Sequence, residues 1–368
     1  MPKAPKRTSA KHGDQKFRWF PLLIGCCLCI LCFLSLYAIS YSSYFSVRYS
    51  DAAATTTPAA PVLNIAAYNA KLLRIANYGT STPSSLGTTT ASTTGNPWPV
   101  QTVYPNAGAL LPFNRIVAYY GNFYAKGMGV LGKYPPPEML QMLNAEVAKW
   151  QAADPSTPVI PGIDYIAVVA QGSAGTDGKY RARMPDSQLD EAVQLAEEEH
   201  GVVILDIQVG LSNVQTEVPL LEKYLKMPQV ELALDPEFAM HNGARPGTVI
   251  GSLDAADINF AANYLATIVQ SYHLPPKILI VHRFTDAMVT HYKKITPLPE
   301  VEIVMDMDGW GSQSRKLGTY QQAIAGQPVE FTGFKLFYKN DLLPPSAGIM
   351  TPAQLLKLQP QPLFIQFQ

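Results

Sequence analysis

Two carboxyl side chains stand two residues apart at the end of one apolar stretch of the sequence. The stretch is Val230–Met240, and the carboxyl groups belong to Asp235 and Glu237. Side chains alternate along a β-strand, so Leu232 and Leu234 share one face and the two acids share the other. Paired carboxyl groups of this kind can act as an acid and a base, provided that one stays protonated while the other is ionised.

Other apolar runs end in polar residues in the same way. When the large aliphatic side chains are placed outward, Asp206 and Gln208 turn inward in one run, and Asp306 and Asp308 in another. His282 closes a third run. The parallel strands of a barrel deliver such residues to one shared rim at their carboxyl ends. Acids crowded there must shift one another's pKa values, which is typical of a functional site. A polar network that only closes the barrel mouth is the alternative.

These residues define the predicted site. Glu237 lies furthest along its strand and is the candidate proton donor, and Asp235 could raise its pKa. The predicted catalytic residues are Glu237, Asp235, Asp306 and Asp308, and the predicted substrate-binding residues are Tyr120, Asp206, Gln208, His282, Trp310, Lys339 and Gln366.

Three kinds of function fit this set. Two carboxyl groups across a carbohydrate-sized pocket suit cleavage of a glycosidic bond, and Trp310 offers a surface for sugar stacking. An oxygen-rich set with one imidazole could instead bind a divalent metal ion in a hydrolase, although no two histidines have ligand spacing. In the third kind of function, Lys335 and Lys339 neutralise the acids, and the protein binds a polymer without cleaving it. No cofactor is predicted, with a divalent metal ion left open.

Eight short apolar runs alternate with amphipathic segments over residues 114–368. This rhythm and length predict an α/β fold, a (β/α)8 barrel of the TIM type, with an open doubly wound sheet as the rival. The runs are Arg115–Tyr120, Ile163–Ala170, Val202–Val209, Glu231–Leu234, Ile278–Val281, Val301–Met305, Phe331–Phe337 and Leu363–Phe367.

Helices are predicted between these runs. No helix follows the eighth run, so we expect an amphipathic helix at 64–78 to cover that gap. The predicted helices of the barrel are Pro137–Trp150, Ser187–Glu199, Thr216–Leu225, Ala255–Tyr272, Asp286–Lys294, Ser314–Ala325 and a weaker one at Pro352–Leu358.

The N-terminal part has the pattern of a membrane anchor. Residues 19–47 carry no charge and are long enough to cross the roughly 30 Å hydrocarbon core of a bilayer as a helix. Residues 1–18 form a basic tail, which predicts a cytoplasmic N-terminus and an extracytoplasmic remainder. We predict an uncleaved, single-pass signal-anchor. Cleavage near Ala38 by a signal peptidase, or at Cys26 as in a lipoprotein, is the alternative.

Residues 48–113 are rich in Thr, Ser and Pro and are predicted to be a flexible linker that the helix at 64–78 interrupts. All four cysteines lie inside the predicted anchor, so no disulfide is expected in the exported part. The chain has 28 basic and 28 acidic residues. The resulting zero formal charge gives no basic field for nucleic acid.

Four motifs carry a resemblance to a known family: Leu234–Phe238, Ile250–Ala256, Pro276–Phe284 and Asp308–Gly311. Over 114–368 the chain resembles a family of exported, lipoprotein-like bacterial proteins. The resemblance implies a glycosidase-type (β/α)8 barrel and supplies no substrate or catalytic residue. The Asp-x-Glu on the fourth strand, with an Asp on the sixth, is also similar to chitinase-type and lysozyme-type barrel hydrolases. The chain lacks the two earlier aspartates of the chitinase motif, which argues against substrate-assisted cleavage of N-acetyl sugars.

Taken together, the sequence predicts a membrane-anchored, extracytoplasmic, glycoside hydrolase-like barrel that acts on a cell-envelope or environmental polysaccharide. A non-catalytic carbohydrate-binding barrel and a metal-dependent hydrolase are the alternatives. The expected partners are the lipid bilayer, through residues 19–47, and carbohydrate, with no nucleic acid.

Overall fold

The computed structural model describes residues 62–78 and 97–368. The predicted cytoplasmic tail, the predicted anchor at 19–47 and much of the predicted linker lie outside the described residues. Within the described ranges, no helix is both long enough and apolar enough to cross a bilayer. The membrane anchor therefore stays a prediction from the sequence.

Eight parallel strands of the described chain close into a barrel. Each strand pairs with the next, and the first pairs with the last, with Val117 opposite Ile365. The closed barrel confirms the predicted TIM-type fold over the open sheet. The strands are β1 (Arg115–Gly121), β2 (Val159–Ala170), β3 (Val202–Ile207), β4 (Val230–Leu234), β5 (Lys277–Arg283), β6 (Val301–Met307), β7 (Phe331–Leu336) and β8 (Phe364–Phe367).

Helices of very different length accompany the strands. The helix predicted at Thr216–Leu225 is divided into two short α-helices by a 3-10 turn at Val218–Leu221. A π-helix at Tyr320–Ala325 continues the helix after β6. Within the described residues, the α-helices are α1 (Ile65–Ala76), α2 (Pro136–Ala153), α3 (Asp186–Glu198), α4 (Val214–Glu217), α5 (Glu222–Leu225), α6 (Ala255–Tyr272), α7 (Gln313–Thr319) and α8 (Pro352–Leu355).

The helix predicted at Asp286–Lys294 is wrong. This segment forms two 3-10 turns around a two-residue strand, Val289–Thr290, which pairs in parallel with Leu253–Asp254. His291 then adopts a left-handed backbone conformation with φ of 53°, which a right-handed helix cannot contain. Pairing with a distant segment thus overrides the helical spacing of the apolar residues.

Side chains alternate along the barrel strands as predicted. On β3, Leu205 and Ile207 pack among the helices outside the barrel, while Ile204 faces the interior. On β4, Leu232 and Leu234 face outward and Ala233 faces inward. The inward orientation of the polar residues that continue the inner faces of these strands is therefore confirmed.

Helix α1 closes the floor of the barrel. Its Tyr68, Leu72 and Ile75 are buried in one cluster with inward-facing strand residues such as Ile278 and Phe364. Removing these apolar side chains and the barrel interior from water stabilises the fold. The amphipathic helix predicted at 64–78 is thus present, and it packs against the barrel.

The prediction that this helix covers the gap after the eighth run is wrong. Arg74 pairs with Asp154, which precedes β2, and the carbonyl of Ile75 accepts a 2.7 Å hydrogen bond from the backbone N–H of Gln361, which precedes β8. These contacts lie at the N-terminal ends of strands. Helix α1 therefore lies under the barrel, opposite the end where the predicted site residues gather.

Candidate functional site

A cavity of about 570 Å³ opens at the carboxyl ends of the barrel strands. Its wall draws on residues that are far apart in sequence, which is how barrels of this type assemble a site. Six of the predicted site residues line it, namely Tyr120, Gln208, Asp235, Glu237, Asp308 and Trp310.

Four other predicted residues lie beneath this cavity. Asp206, His282, Asp306 and Gln366 each have 0% of their surface exposed, and none of them lines the cavity. The structure therefore places them in a layer that supports the wall, whereas the sequence analysis put them in direct contact with substrate. Lys339 is exposed and also lies outside the cavity wall.

His282 is held between carboxylates in this supporting layer. Its Nε2 lies 2.9 Å from Asp206 Oδ2, and its Nδ1 lies 3.2 Å from Asp306 Oδ2. Asp308 Oδ2 is 3.6 Å from the same Nδ1. Burial alone would lower the pKa of His282, but Asp206 and Asp306 outweigh it and hold this pKa well above its usual value. The imidazole is therefore a buried cation that donates from both ring nitrogens.

Lys335, which points inward from β7, is a second buried cation. Its Nζ lies 2.9 Å from Asp308 Oδ1 and 3.8 Å from the centroid of the Tyr120 ring. Burial works to lower the pKa of Lys335, and the carboxylate of Asp308 more than compensates, so this pKa is raised. Lys335 thus places a buried positive charge beside the carboxyl group of Asp308 at the cavity wall.

Gln208 holds Asp235 in place. The Gln208 Nε2 donates to Asp235 Oδ2 at 3.1 Å and lies 3.2 Å from Tyr120 Oη. The Gln208 Oε1 accepts from the backbone N–H of Ala170 at 3.0 Å, which fixes the orientation of the amide. Burial, and then the charge of Asp206, raise the pKa of Asp235 well above its usual value.

Glu237 differs from these acids because its carboxyl group has no hydrogen-bond or ion-pair partner among the described residues. The Pro236–Phe238 turn carries it into the cavity wall, and Asp235 Oδ1 fixes that turn by accepting from the Glu237 N–H at 3.1 Å. Burial, and then the charge of Asp308, raise the pKa of Glu237 to about 7. A carboxyl group with this pKa can both hold and release a proton near neutral pH.

The sequence analysis missed Asp164, another acid of the supporting layer. It points inward from β2, and its Oδ2 accepts a hydrogen bond from Gln366 Nε2. Burial, and then the charge of Asp206, raise the pKa of Asp164 to about 8. The other residues of its strand are apolar on both faces, so no alternation of polar and apolar residues indicates the direction of Asp164. Placing Ile163 and Tyr165 outward would have turned Asp164 inward.

The residues of this site do not fit a metal ion. Among residues 62–78 and 97–368, no group of three His, Cys, Asp or Glu side chains could hold one. His282 is the imidazole of the predicted set, and both of its ring nitrogens are already hydrogen bonded to carboxylates. We therefore derive no step through a metal.

No family model and no curated protein matches this chain. Membership of the lipoprotein-like family therefore remains a prediction.

Solved structures similar to the chain include glycoside hydrolases. A cellulase shares 13% identity at a TM-score of 0.35, over 61% of this chain and 65% of that chain, so this chain spans less than two thirds of it. A broad-specificity endoglucanase from Clostridium acetobutylicum shares 9% identity at 0.35, over 70% of this chain and 87% of that chain. A Bacteroides ovatus GH5 xyloglucanase in complex with a XXXG heptasaccharide shares 13% identity at 0.35, over 73% of each chain. At these values no activity or residue role transfers to this chain.

Proposed function

We propose that this protein is a glycoside hydrolase-like barrel in which Glu237 gives a proton to the leaving oxygen of a glycosidic bond. The observation that carries the proposal is the unpaired carboxyl group of Glu237, which faces the cavity and has a pKa raised to about 7. Near neutral pH, such a group carries its proton in a large fraction of the protein molecules. It can deliver that proton to the leaving oxygen as the bond breaks.

Asp308 is the proposed partner carboxylate. It lines the same cavity, and its Oδ1 forms an ion pair with Lys335 Nζ at 2.9 Å. An ionised carboxylate beside the sugar ring stabilises the positive charge that develops during cleavage, or acts as nucleophile or base. Asp235 then has a positioning role, since it holds the Glu237 backbone from below. Trp310, which is 49% exposed at the rim, offers a face for sugar stacking.

We further propose that the barrel works outside the cytoplasmic membrane, tethered through residues 19–47, on a cell-envelope or environmental polysaccharide. The basic tail before the uncharged segment supports this orientation. Protease added to intact cells should then digest the barrel. If the barrel were cut only after cell lysis, the proposed location would be wrong.

The test of catalysis compares the wild type with Glu237→Gln on a panel of polysaccharides. Glutamine keeps the size of the side chain but carries no acidic proton, so kcat should fall by about 10²-fold or more. In the wild type, activity should decline above about pH 7 as Glu237 loses its proton.

The matched control is Glu198→Gln, which makes the same change on the exposed outer face of α3 and should leave turnover unchanged. Full turnover by Glu237→Gln would exclude Glu237 as the acid.

Carbohydrate binding without cleavage is the second candidate function. It is favoured by the ion pair between Asp308 and Lys335, because a carboxylate that neutralises a buried ammonium group is less able to attack a sugar. Calorimetry would then show saccharide binding by the wild type, with no turnover of any substrate on the panel. No observation in the described structure favours a metal-dependent hydrolase.

A further inference from the structure

A positively charged group stands at the rim of the cavity with no acid beside it. Arg315, on α7, lines the cavity and is exposed. The central carbon of its guanidinium lies 5.7 Å from the centroid of the Trp310 ring. Throughout the described part of the chain, nothing forms a hydrogen bond or an ion pair with this guanidinium. Its N–H donors are therefore free to meet a ligand in the cavity.

The other cations of the site are not free in this way. Lys335 is buried and paired with Asp308, and His282 is buried between Asp206 and Asp306. Neither can turn toward a ligand without leaving a carboxylate unpaired inside the barrel, which is costly. Of the cations that line the cavity, Arg315 is therefore the one that can pair with an anionic ligand group.

The surroundings of Arg315 also restrict its position. Its guanidinium lies over the Trp310 ring at a distance that allows a favourable cation–π interaction. A Cβ atom at Gly311 would lie 3.1 Å from Arg315 Cδ, so the glycine leaves room for the arginine side chain. A side chain that is already positioned loses less conformational freedom when it binds.

The acids of the cavity wall determine which end of a ligand can be negative. Asp308, whose carboxylate pairs with Lys335, lines the cavity and would repel a negative group placed against it. Arg315 attracts the same group at the rim.

We propose that the cavity takes an acidic saccharide, with a carboxylate or sulfate on Arg315 and an adjacent sugar ring on Trp310. This inference rests on the proposed function and names the substrate class of the same site. Both anions pair with a guanidinium, and a carboxylate can do so through two parallel hydrogen bonds.

The test measures binding of matched saccharides to the full-length protein by calorimetry. One pair is an oligogalacturonide and its neutral methyl ester, and the other is a sulfated galactan oligosaccharide and its desulfated form. At least one anionic member should bind about tenfold more tightly than its neutral partner, as expected of a charge-assisted contact. Raising the salt concentration should reduce this preference.

Arg315→Gln should abolish the preference and leave the affinity for the neutral member unchanged. Arg315→Lys should keep part of the preference for a carboxylate, because lysine preserves the charge but not the forked geometry. The matched control is Lys357→Gln, which removes the same charge from an exposed side chain before β8, at the opposite end of the barrel. It should change neither affinity.

The outcomes separate this inference from the proposed function. The proposal of an acidic saccharide would be overturned if the wild type bound the charged and neutral members with equal affinity. It would also be overturned if Arg315→Gln lost the same affinity for both members. In either case the site would remain a carbohydrate site. If no saccharide bound at all, the proposed function would fail with it. A preference in only one pair would tell a uronic carboxylate from a sulfate ester.

Discussion

Buried carboxyl groups occur at both ends of the barrel, but their partners differ. At the floor, the three glutamates Glu231, Glu302 and Glu330 are bonded to the backbone. Glu302 accepts hydrogen bonds from the N–H groups of Leu110 and Leu111 at 3.0 and 2.8 Å, and Glu330 accepts from the N–H of Ile303 at 2.7 Å. These acids join strands and loops to one another.

At the mouth, the acids interact with one another and with two buried cations. Asp206 and Asp306 hold His282, and Asp308 holds Lys335. One carboxyl group, that of Glu237, faces the cavity without a partner among the described residues.

A raised pKa alone therefore does not mark a functional acid. Burial raises the pKa of Glu330 to about 8 and that of Glu231 to about 7, close to the value of Glu237. Glu231 and Glu330 are fully buried and bonded to the backbone, so no ligand can reach them. Access to a cavity and the absence of a partner separate the candidate acid from structural ones.

The largest expected effect on stability lies at the mouth. His282→Phe removes the cation between Asp206 and Asp306 and should reduce the free energy of unfolding by about 3–5 kcal/mol, because buried carboxylates lose their partner. Denaturant titration measures this loss. His241→Phe is the matched control, since His241 is exposed and lies 3.9 Å from Asp257, where an ion pair contributes little. A loss for His282→Phe as small as that of the control would show that the mouth does not depend on this cation.

A smaller effect at the floor concerns pH. The folded pKa of Glu330, about 8, lies above its unfolded value of 4.5, so folding favours the protonated form. Its contribution to stability is therefore complete below about pH 4.5 and is lost as the pH rises toward about 8. Glu330→Gln cannot ionise and keeps an oxygen for the Ile303 N–H. The melting temperature of this variant should fall less than that of the wild type between about pH 5 and about pH 8.

Glu237→Gln is the control for that measurement. The pKa of Glu237 is raised less, to about 7, so its replacement should change the pH dependence of the melting temperature less than Glu330→Gln does. The comparison between floor and mouth would break down if the two variants behaved alike.

The fold could be predicted because its determinants are local and repeated. Each strand has a period of two, with aliphatic residues outward, and eight such runs alternate with amphipathic segments. The same alternation correctly turned Asp206, Gln208, Asp235, Asp306 and Asp308 inward. The segment at Asp286–Lys294 was mispredicted because its partner strand, Leu253–Asp254, lies more than thirty residues earlier in the chain.

The depth of each residue along the barrel axis could not be predicted in this way. Alternation gives the face of a side chain but not its height, and height depends on the stagger between neighbouring strands. Asp306 and Asp308 share a face of one strand, yet Asp306 lies in the buried layer and Asp308 in the cavity wall. A Cβ atom at position 333, on the next strand, would lie 2.4 Å from Asp306 Oδ1, so that carboxyl group fits there only because the neighbour is a glycine.

The barrel and the inward direction of its acids can both be predicted from the period of the strands in the sequence. Which acid is free of a partner follows only from the folded barrel. That choice depends on where Lys335, His282 and Gln208 place their donors, and it leaves Glu237 without one. Distances between side chains on different strands are set when the barrel closes, and no local pattern in the sequence encodes them.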